Sequence, residues 1–461
     1  MLNIEYATDT YSVFNFNSEQ VYAQFASSGR FITAIIGRLV KIAGFSEQAI
    51  YVGSYLLAII CVLISQYKVY GLLKDDVKNK NFRILIAILI IINPFSIELF
   101  LFIEKGVMWL GVLMAVCAVE RIVKYFETNR KRNIVYAMIF MFLANCSYQG
   151  VVGIFVSVSL IYILKYSSDI KEFVKNNIVV AVTYGIPAVA DYLLIKILYQ
   201  GSRVNGQIIL SESVSKIFDG TIQMIISTYG LLPKYLFIIS IGILFSLGVY
   251  ETIRKKRKAF YEISKYIYII IGTIIITVMP QIMQSTSSIW FVPRSTYAFG
   301  ALYGILIMLL YLNHETGNFT TIVIIIISII LSIFQFTKFS TIINDRYKLN
   351  EQDYIISMHI INKIMNYEMS TENKISKIEI YQDKNPRYTY DGIFATGDIN
   401  VKAYSTDWST KAIIEYYLKR ELKQEVIKED RKRNFLEMDW DEFNIDEQVI
   451  LQDDTIIICR Y

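Results

Sequence analysis

Residues 319–337, FTTIVIIIISIILSIFQFT, carry no charged side chain. Crossing the hydrocarbon core of a bilayer takes about 20 apolar residues, so this run reads as a transmembrane helix. Working back towards the N-terminus, similar segments are predicted near 49–67, 84–102, 106–124, 133–147, 150–165, 177–199, 235–251, 265–283 and 297–312. Those at 133–147 and 150–165 are short, and several of the ten read equally as broken helices. With 461 residues, 54% of them hydrophobic, and a mean hydropathy of +0.40, the chain is a mainly α polytopic membrane protein with about ten spans.

Orientation follows from the basic residues between spans. One set of loops holds Lys68, Lys74, Lys78, Lys80 and Arg83, then Arg121, Lys124 and Arg130 to Arg132. It continues with Lys165, Lys171 and Lys175 and the run from Arg254 to Lys258. The other set holds fewer: Lys105, Arg203, Lys216, Lys234 and Arg294. The first set is read as cytoplasmic, which turns Asp9, Arg30, Glu104, Gln149, Arg294 and the whole C-terminal region outward. Positive charge divided among loops in this way, with a net charge of only +5, speaks against nucleic-acid binding. Cys61, Cys117, Cys146 and Cys459 lack paired spacing, and His314 and His359 lie far apart. Neither a disulfide framework nor a histidine metal site is indicated.

The polar residues that stand out share the outward side. Residues 9–41, DTYSVFNFNSEQVYAQFASSGRFITAIIGRLVK, combine an acidic start, a Ser-Ser-Gly-Arg corner and a two-sided helix. At about 100° per residue, Arg30, Gly37 and Lys41 fall on one stripe. Val21, Phe25, Ile32, Ile36 and Leu39 gather opposite, as in a helix lying in the membrane interface. The plainer alternative is that Asp9 caps a turn and the arginines snorkel. Further along, Ile92 to Glu98 interrupts the second span, Phe102 to Gly106 turns the chain, and Cys146 to Gly150 makes the next outward turn. Asp191 and Lys196 sit within a span, pairing either with each other or with other helices. Trp290 and Arg294 mark the entry to the ninth span. The loop 200–234 reads as a lid, a lipid-groove wall or a plain connector.

After about residue 338 the composition becomes charged and alternating. A helix is predicted over 351–366, a strand over Lys377–Gln382 and a helix over 409–423. A hairpin follows, with strands 448–452 and 455–459 around Asp453-Asp454. The domain reading is therefore 1–48, an external loop with an interfacial helix; 49–338, the transmembrane helical domain; and 346–461, a small extracytoplasmic α/β domain.

An enzyme that joins a lipid-linked sugar to an external acceptor needs a carboxylate to take the hydroxyl proton and cations to hold the departing phosphate. Asp9 suits the first role, and Arg30 and Arg294 the second. No phosphate-binding glycine loop or dinucleotide fingerprint is present. The motifs Asp9-Thr-Tyr-Ser, Ser27-Ser-Gly-Arg30, Asn93-Pro94 with Glu98, Phe102-Ile-Glu-Lys105, Tyr148-Gln149 and Pro293-Arg294 occur in this order. Over roughly residues 5–340 the chain resembles the bacterial Gtr-type (GtrII-like) glucosyltransferases of the GT-C membrane fold. The C-terminal domain resembles the external tail that many members carry.

That resemblance implies transfer of glucose, or a related sugar, from an undecaprenyl-phosphate donor to a cell-surface polysaccharide at the outer face of the bacterial cytoplasmic membrane. It makes Asp9 the catalytic residue of the first external loop and Arg30 and Arg294 the donor phosphate ligands. Glu98, Glu104, Lys105, Tyr148 and Gln149 are the other candidate site residues. This reading identifies no cofactor with certainty, and a divalent metal stays open without being indicated. Members of the GT-C fold have a helix ahead of the catalytic loop, so an apolar helix is expected upstream of Met1. Many also carry an acidic pair there, where this chain has Asp9 with Glu5 nearby. Two other classes are weighed against this one: a transporter or flippase of lipid-linked sugars, and a membrane-anchored protein that binds a cell-wall partner. The absence of an internal repeat and the outer-edge position of the polar residues count against the transporter. The interaction protein leaves the membrane residues without a role.

Overall fold

The computed structural model describes residues 4–199, 207, 209–256, 259–282, 284–313, 317–382, 387–426 and 444–460. His314, Arg203, Arg257 and Lys258 lie outside the described residues. By compactness the chain forms two units. One comprises Ser18–Phe100 and Glu104–Lys338, the other Met1–Asn17, Leu101–Ile103 and Phe339–Tyr461. The expected 1–48 segment is thus divided between them.

In chain order the helices are α1 (Thr10–Asn15), α2 (Ser18–Ala26), α3 (Phe31–Ile42), α4 (Glu47–Leu72), α5 (Lys80–Ile91), α6 (Lys105–Thr128) and α7 (Arg132–Ser147). Then come α8 (Gly153–Lys165), α9 (Ile170–Leu198), α10 (Leu210–Ser227), α11 (Leu236–Arg254), α12 (Ala259–Ile282) and α13 (Leu302–Asn313). After them follow α14 (Asn318–Thr371) and α15 (Asp407–Leu418), with two four-residue helical turns, Tyr297–Gly300 and Ile445–Gln448, left unnumbered. Polar residues start several of them. Ser46 accepts from the Ala49 N–H at 3.2 Å, Asn79 from Asn81 at 2.9 Å, and Asp169 from Glu172 at 2.8 Å.

Among the described residues, six helices are long and apolar enough to cross a membrane. The number is seven if α5 and the 3₁₀ turn Pro94–Phe100, bent from it by 59°, make one broken span. Of the ten predicted segments, 133–147, 150–165 and 297–312 also form helix, but in shorter pieces. Tyr148 in extended conformation separates α7 from α8, and Ala301 separates the turn Tyr297–Gly300 from α13.

Two sequence expectations change. The region 9–41 is not one two-sided helix, because Gly29 adopts φ +77° and breaks it into α2 and α3. Val21 and Phe25 are therefore buried on α2, and Gly37 of α3 approaches Val21. Arg38 bonds Glu19 across the pair at 2.7 Å. The outward apolar face of α3 is Ile35, Leu39 and Ile42. The predicted helix 351–366 is part of α14, which has no glycine or proline to stop it.

The second unit contains a four-stranded sheet in the order β2-β1-β4-β3, from β1 (Lys377–Gln382), β2 (Lys423–Gln424), β3 (Val449–Gln452) and β4 (Thr455–Arg460). β1 lies parallel to β2 and β4, and β3 and β4 form the antiparallel hairpin around Asp453-Asp454. Ile378, Ile380, Ile456 and Ile458 on one face pack with Ile413 and Ile414 of α15, Ile360 and Ile364 of α14, and Tyr11 of α1. The N-terminal segment is therefore part of this core. The predicted helix 409–423 appears as α15, which ends at Leu418 where Lys419 turns left-handed.

Candidate active site

Most of the candidate residues lie in the first unit, at interruptions between helices. After α2 the Ser27 and Ser28 hydroxyls turn back to the Gln24 carbonyl, and Gly29 makes the corner. A Cβ on Gly29 would stand 2.5 Å from Ile195 Cδ1 and 2.6 Å from Gln149 Nε2. Glycine is thus required here both by the backbone and by the space. Arg30, the next residue, is the N-cap residue of α3.

Asn93-Pro94 stops α5. Asn93 Oδ1 accepts from the Phe95 N–H at 3.0 Å, and Asn93 Nδ2 donates to the carbonyls of Ile90 and Tyr297. The following 3₁₀ turn carries Glu98 into the interior with its side chain wholly buried. Between Val292 and Thr296 a second 3₁₀ turn presents Arg294 to it. The Arg294 backbone N–H donates to Glu98 Oε2 at 2.7 Å, and Nη1 donates to Oε1 at 2.5 Å.

Tyr148 joins the pieces. Arg294 Nε donates to its hydroxyl at 2.8 Å, and the Arg30 guanidinium lies 4.8 Å from its ring centre. Arg30 also pairs with Glu104 at 3.3 Å, where both side chains are nearly buried. Two arginines therefore meet on one tyrosine, each with its own glutamate. Gln149 Nε2 donates to the Ser28 carbonyl at 3.0 Å and to Asp191 Oδ2 at 3.1 Å. Asp191 is only 4% exposed, whereas Lys196 is exposed. Five residues apart on α9, the two sit on different sides of the helix, and of the two pairings weighed from the sequence Asp191 makes the one with another segment, through Gln149. Lys105 is buried with its ammonium 4.1 Å from the Tyr51 ring and 5.1 Å from the Tyr55 ring of α4. It packs the α4–α6 contact.

The arrangement is chemically specific. Guanidinium groups are fixed cations with forked donors, suited to phosphate oxygens. Here Glu98 and Glu104 take that place, so an anion arriving at the arginines would exchange with carboxylates already held there. Separating either buried pair costs about 3–5 kcal/mol, unless the arriving anion replaces what is lost. Sequence reasoning named the six residues Arg30, Glu98, Glu104, Tyr148, Gln149 and Arg294, which the fold gathers. It did not identify Tyr148 as their junction or join Asp191 and Gly29 to Gln149.

Asp9 belongs to the second unit and stands just ahead of α1. Its side chain makes no capping bond to that helix. Oδ1 instead accepts from Trp408 Nε1 at 3.1 Å, so the turn-capping alternative does not describe it. Among the described residues, no group of three or more His, Cys, Asp or Glu side chains is placed to hold a metal ion. An apolar groove of about 370 Å³ lies elsewhere in the first unit, along Leu85, Ile325, Ile329, Ile333 and Phe336. None of the candidate residues lines it.

The family described as Glucosyl transferase GtrII matches residues 1–311. No curated protein and no solved structure matches the chain.

Proposed function

The chain belongs to the Glucosyl transferase GtrII family, and from that premise we propose that it moves glucose from an undecaprenyl-phosphate-linked donor to a cell-surface polysaccharide at the outer face of the bacterial cytoplasmic membrane. Family membership makes it a glycosyltransferase. The observation that carries the finer reading is the meeting of Arg30 and Arg294 on Tyr148. A lipid-linked sugar leaves behind a polyprenyl phosphate, and charge develops on its bridging oxygen as the glycosidic bond breaks. Two preorganised guanidinium groups are the side chains best able to stabilise that charge without a metal or a nucleotide fold.

In this mechanism the acceptor hydroxyl attacks the anomeric carbon of the donor sugar. Asp9 takes the hydroxyl proton as the new carbon–oxygen bond forms and the bond to phosphate breaks. Arg30 and Arg294 hold the phosphate, while Glu98 and Glu104 hold the arginines in place before it arrives. The exposed Ile35, Leu39 and Ile42 of α3 suit a helix in the lipid interface, bringing a membrane-borne donor to the adjacent Arg30. The C-terminal domain lies on the same outer side as the acceptor.

The test is sugar transfer by the reconstituted full-length protein from polyprenyl-phosphate sugars, scanned across several sugars. Asp9→Asn keeps shape and hydrogen bonding but loses proton acceptance. It should lower transfer by about 10²-fold or more, with donor binding retained. Transfer at the wild-type rate by Asp9→Asn would remove Asp9 from the mechanism. Lipid movement without any sugar transfer would replace the enzyme with a flippase.

A further inference from the structure

We propose that Trp408 positions Asp9 for proton abstraction and offers its exposed indole face to the acceptor sugar. The inference rests on the reading of Asp9 as the base and gives the C-terminal domain, which lies beyond the family match, a part in the reaction.

Asp9 stands where an aspartate ordinarily caps a helix, with α1 beginning at the next residue, yet its side chain makes no capping bond there. The carboxylate bonds Trp408 instead, across 399 positions of sequence. The backbone around Asp9 is held by the same domain. On one side the Tyr6 carbonyl accepts from Arg346 Nη1 at 3.1 Å and from Asn350 Nδ2 at 2.9 Å. On the other, Asn15 Nδ2 donates to the Ala412 carbonyl of α15 at 2.7 Å. Between them Tyr11 is buried, stacked on Tyr6 and edge-on to Tyr416. Trp408 is the second residue of α15, so carboxylate and indole are both mounted on one packed framework.

The chemistry of the indole fits both parts of the role. Its Nε1–H donates and cannot accept, so it can fix one carboxylate oxygen without competing for the proton that Asp9 is to take. Trp408 as a whole is 56% exposed. An aromatic face left open to water is a platform for the positively polarised C–H face of a pyranose ring. A sugar stacked there has its hydroxyls within reach of the carboxylate that the same ring holds.

Full-length protein carrying Trp408→Phe or Trp408→Ala separates the two parts. Phenylalanine keeps a stacking face and loses the donor. Its kcat should fall about tenfold, as for loss of one hydrogen bond to a charged group, with the acceptor KM unchanged. Alanine loses both, so its acceptor KM should also rise at least fivefold. A second measurement needs no turnover: calorimetric binding of oligosaccharides released by mild acid from the envelope polysaccharide of the host bacterium. Asp9→Asn protein should bind them, and Asp9→Asn/Trp408→Ala should bind at least fivefold more weakly at an unchanged thermal midpoint. Wild-type kcat, KM and oligosaccharide binding in Trp408→Ala would overturn the proposal while leaving the glucosyltransferase reading intact. A wild-type protein that transfers no sugar but loses oligosaccharide binding with Trp408→Ala would overturn that reading and support the platform. A wild type that neither transfers sugar nor binds these oligosaccharides would overturn both.

Discussion

The two arginines around Tyr148 and the carboxylate beside Trp408 are built in opposite ways. Glu98 has no exposed side-chain surface, and Arg30, Glu104 and Arg294 have little, so each arginine is fixed by a buried carboxylate. Asp9 is half-buried and accepts from the indole of an exposed tryptophan. The first group is part of what holds its unit together. The second hangs on a packed framework without being part of the core. Substitutions at the arginines and glutamates will therefore mix loss of structure with loss of function, while those at Asp9 and Trp408 will read function more cleanly.

The largest expected effect tests that contrast directly. Glu98→Ala leaves the Arg294 guanidinium buried without its carboxylate, at a cost of about 3–5 kcal/mol. Asp9→Asn should stay within about 0.5 kcal/mol of wild type, as for a half-buried side chain outside the core whose replacement keeps its shape and an acceptor oxygen. Thermal unfolding of the two purified variants decides it. Equal destabilisation would erase the distinction, and the transfer defect of Asp9→Asn would then say nothing about proton transfer.

A smaller effect is expected from Arg30→Lys. Lysine keeps the charge but loses the planar fork and its stacking on the Tyr148 ring. Donor binding should weaken by roughly 10- to 100-fold, the range for one charge-assisted hydrogen bond of about 1.5–3 kcal/mol. Titration with a polyprenyl-phosphate sugar measures it. Unchanged binding would leave Arg30 as a structural partner of Glu104 and assign the phosphate to Arg294 alone.

What the sequence disclosed follows the range over which each signal acts. The strand Lys377–Gln382 and the hairpin around Asp453-Asp454 are local patterns, and both are present with nearly the expected ends. The uninterrupted course of α14 was also available, since nothing from Asn318 to Thr371 stops a helix. Helical periodicity carried across Gly29 misled, because it placed Val21 and Phe25 on a face that the left-handed corner turns inward. The broken ends at Asn93-Pro94, Tyr148-Gln149 and Pro293-Arg294 announced where polar residues would gather. Their partners could not be read, since Glu98 and Arg294 lie 196 residues apart and Asp9 and Trp408 lie 399 apart. No periodicity spans such distances. The indole was also hidden by its setting, one aromatic residue just ahead of the predicted helix 409–423.

The smallest predicted effect lies in the framework that carries Asp9. Lys402 is 1% exposed, and burial brings its ammonium down to about 8, against the opposing pull of Asp353. An unfolded lysine titrates near 10.4, so between about pH 8 and that value the unfolded chain binds more protons at this position. Stability must then rise with pH across this window, because the penalty for a buried charge is fully present below 8 and is relieved as the charge is lost. From pH 7 to pH 9 the gain from this one group is about 1 kcal/mol. Lys402→Met has no ammonium to lose, so its unfolding midpoint should lack that part of the rise. The comparison is the difference between wild type and variant at each pH, which cancels the titration of other groups. Parallel curves would mean that the Lys402 charge is not penalised by burial. The framework under Asp9 would then be as open as Asp9 itself, and the contrast with the arginine cluster would extend to the whole domain.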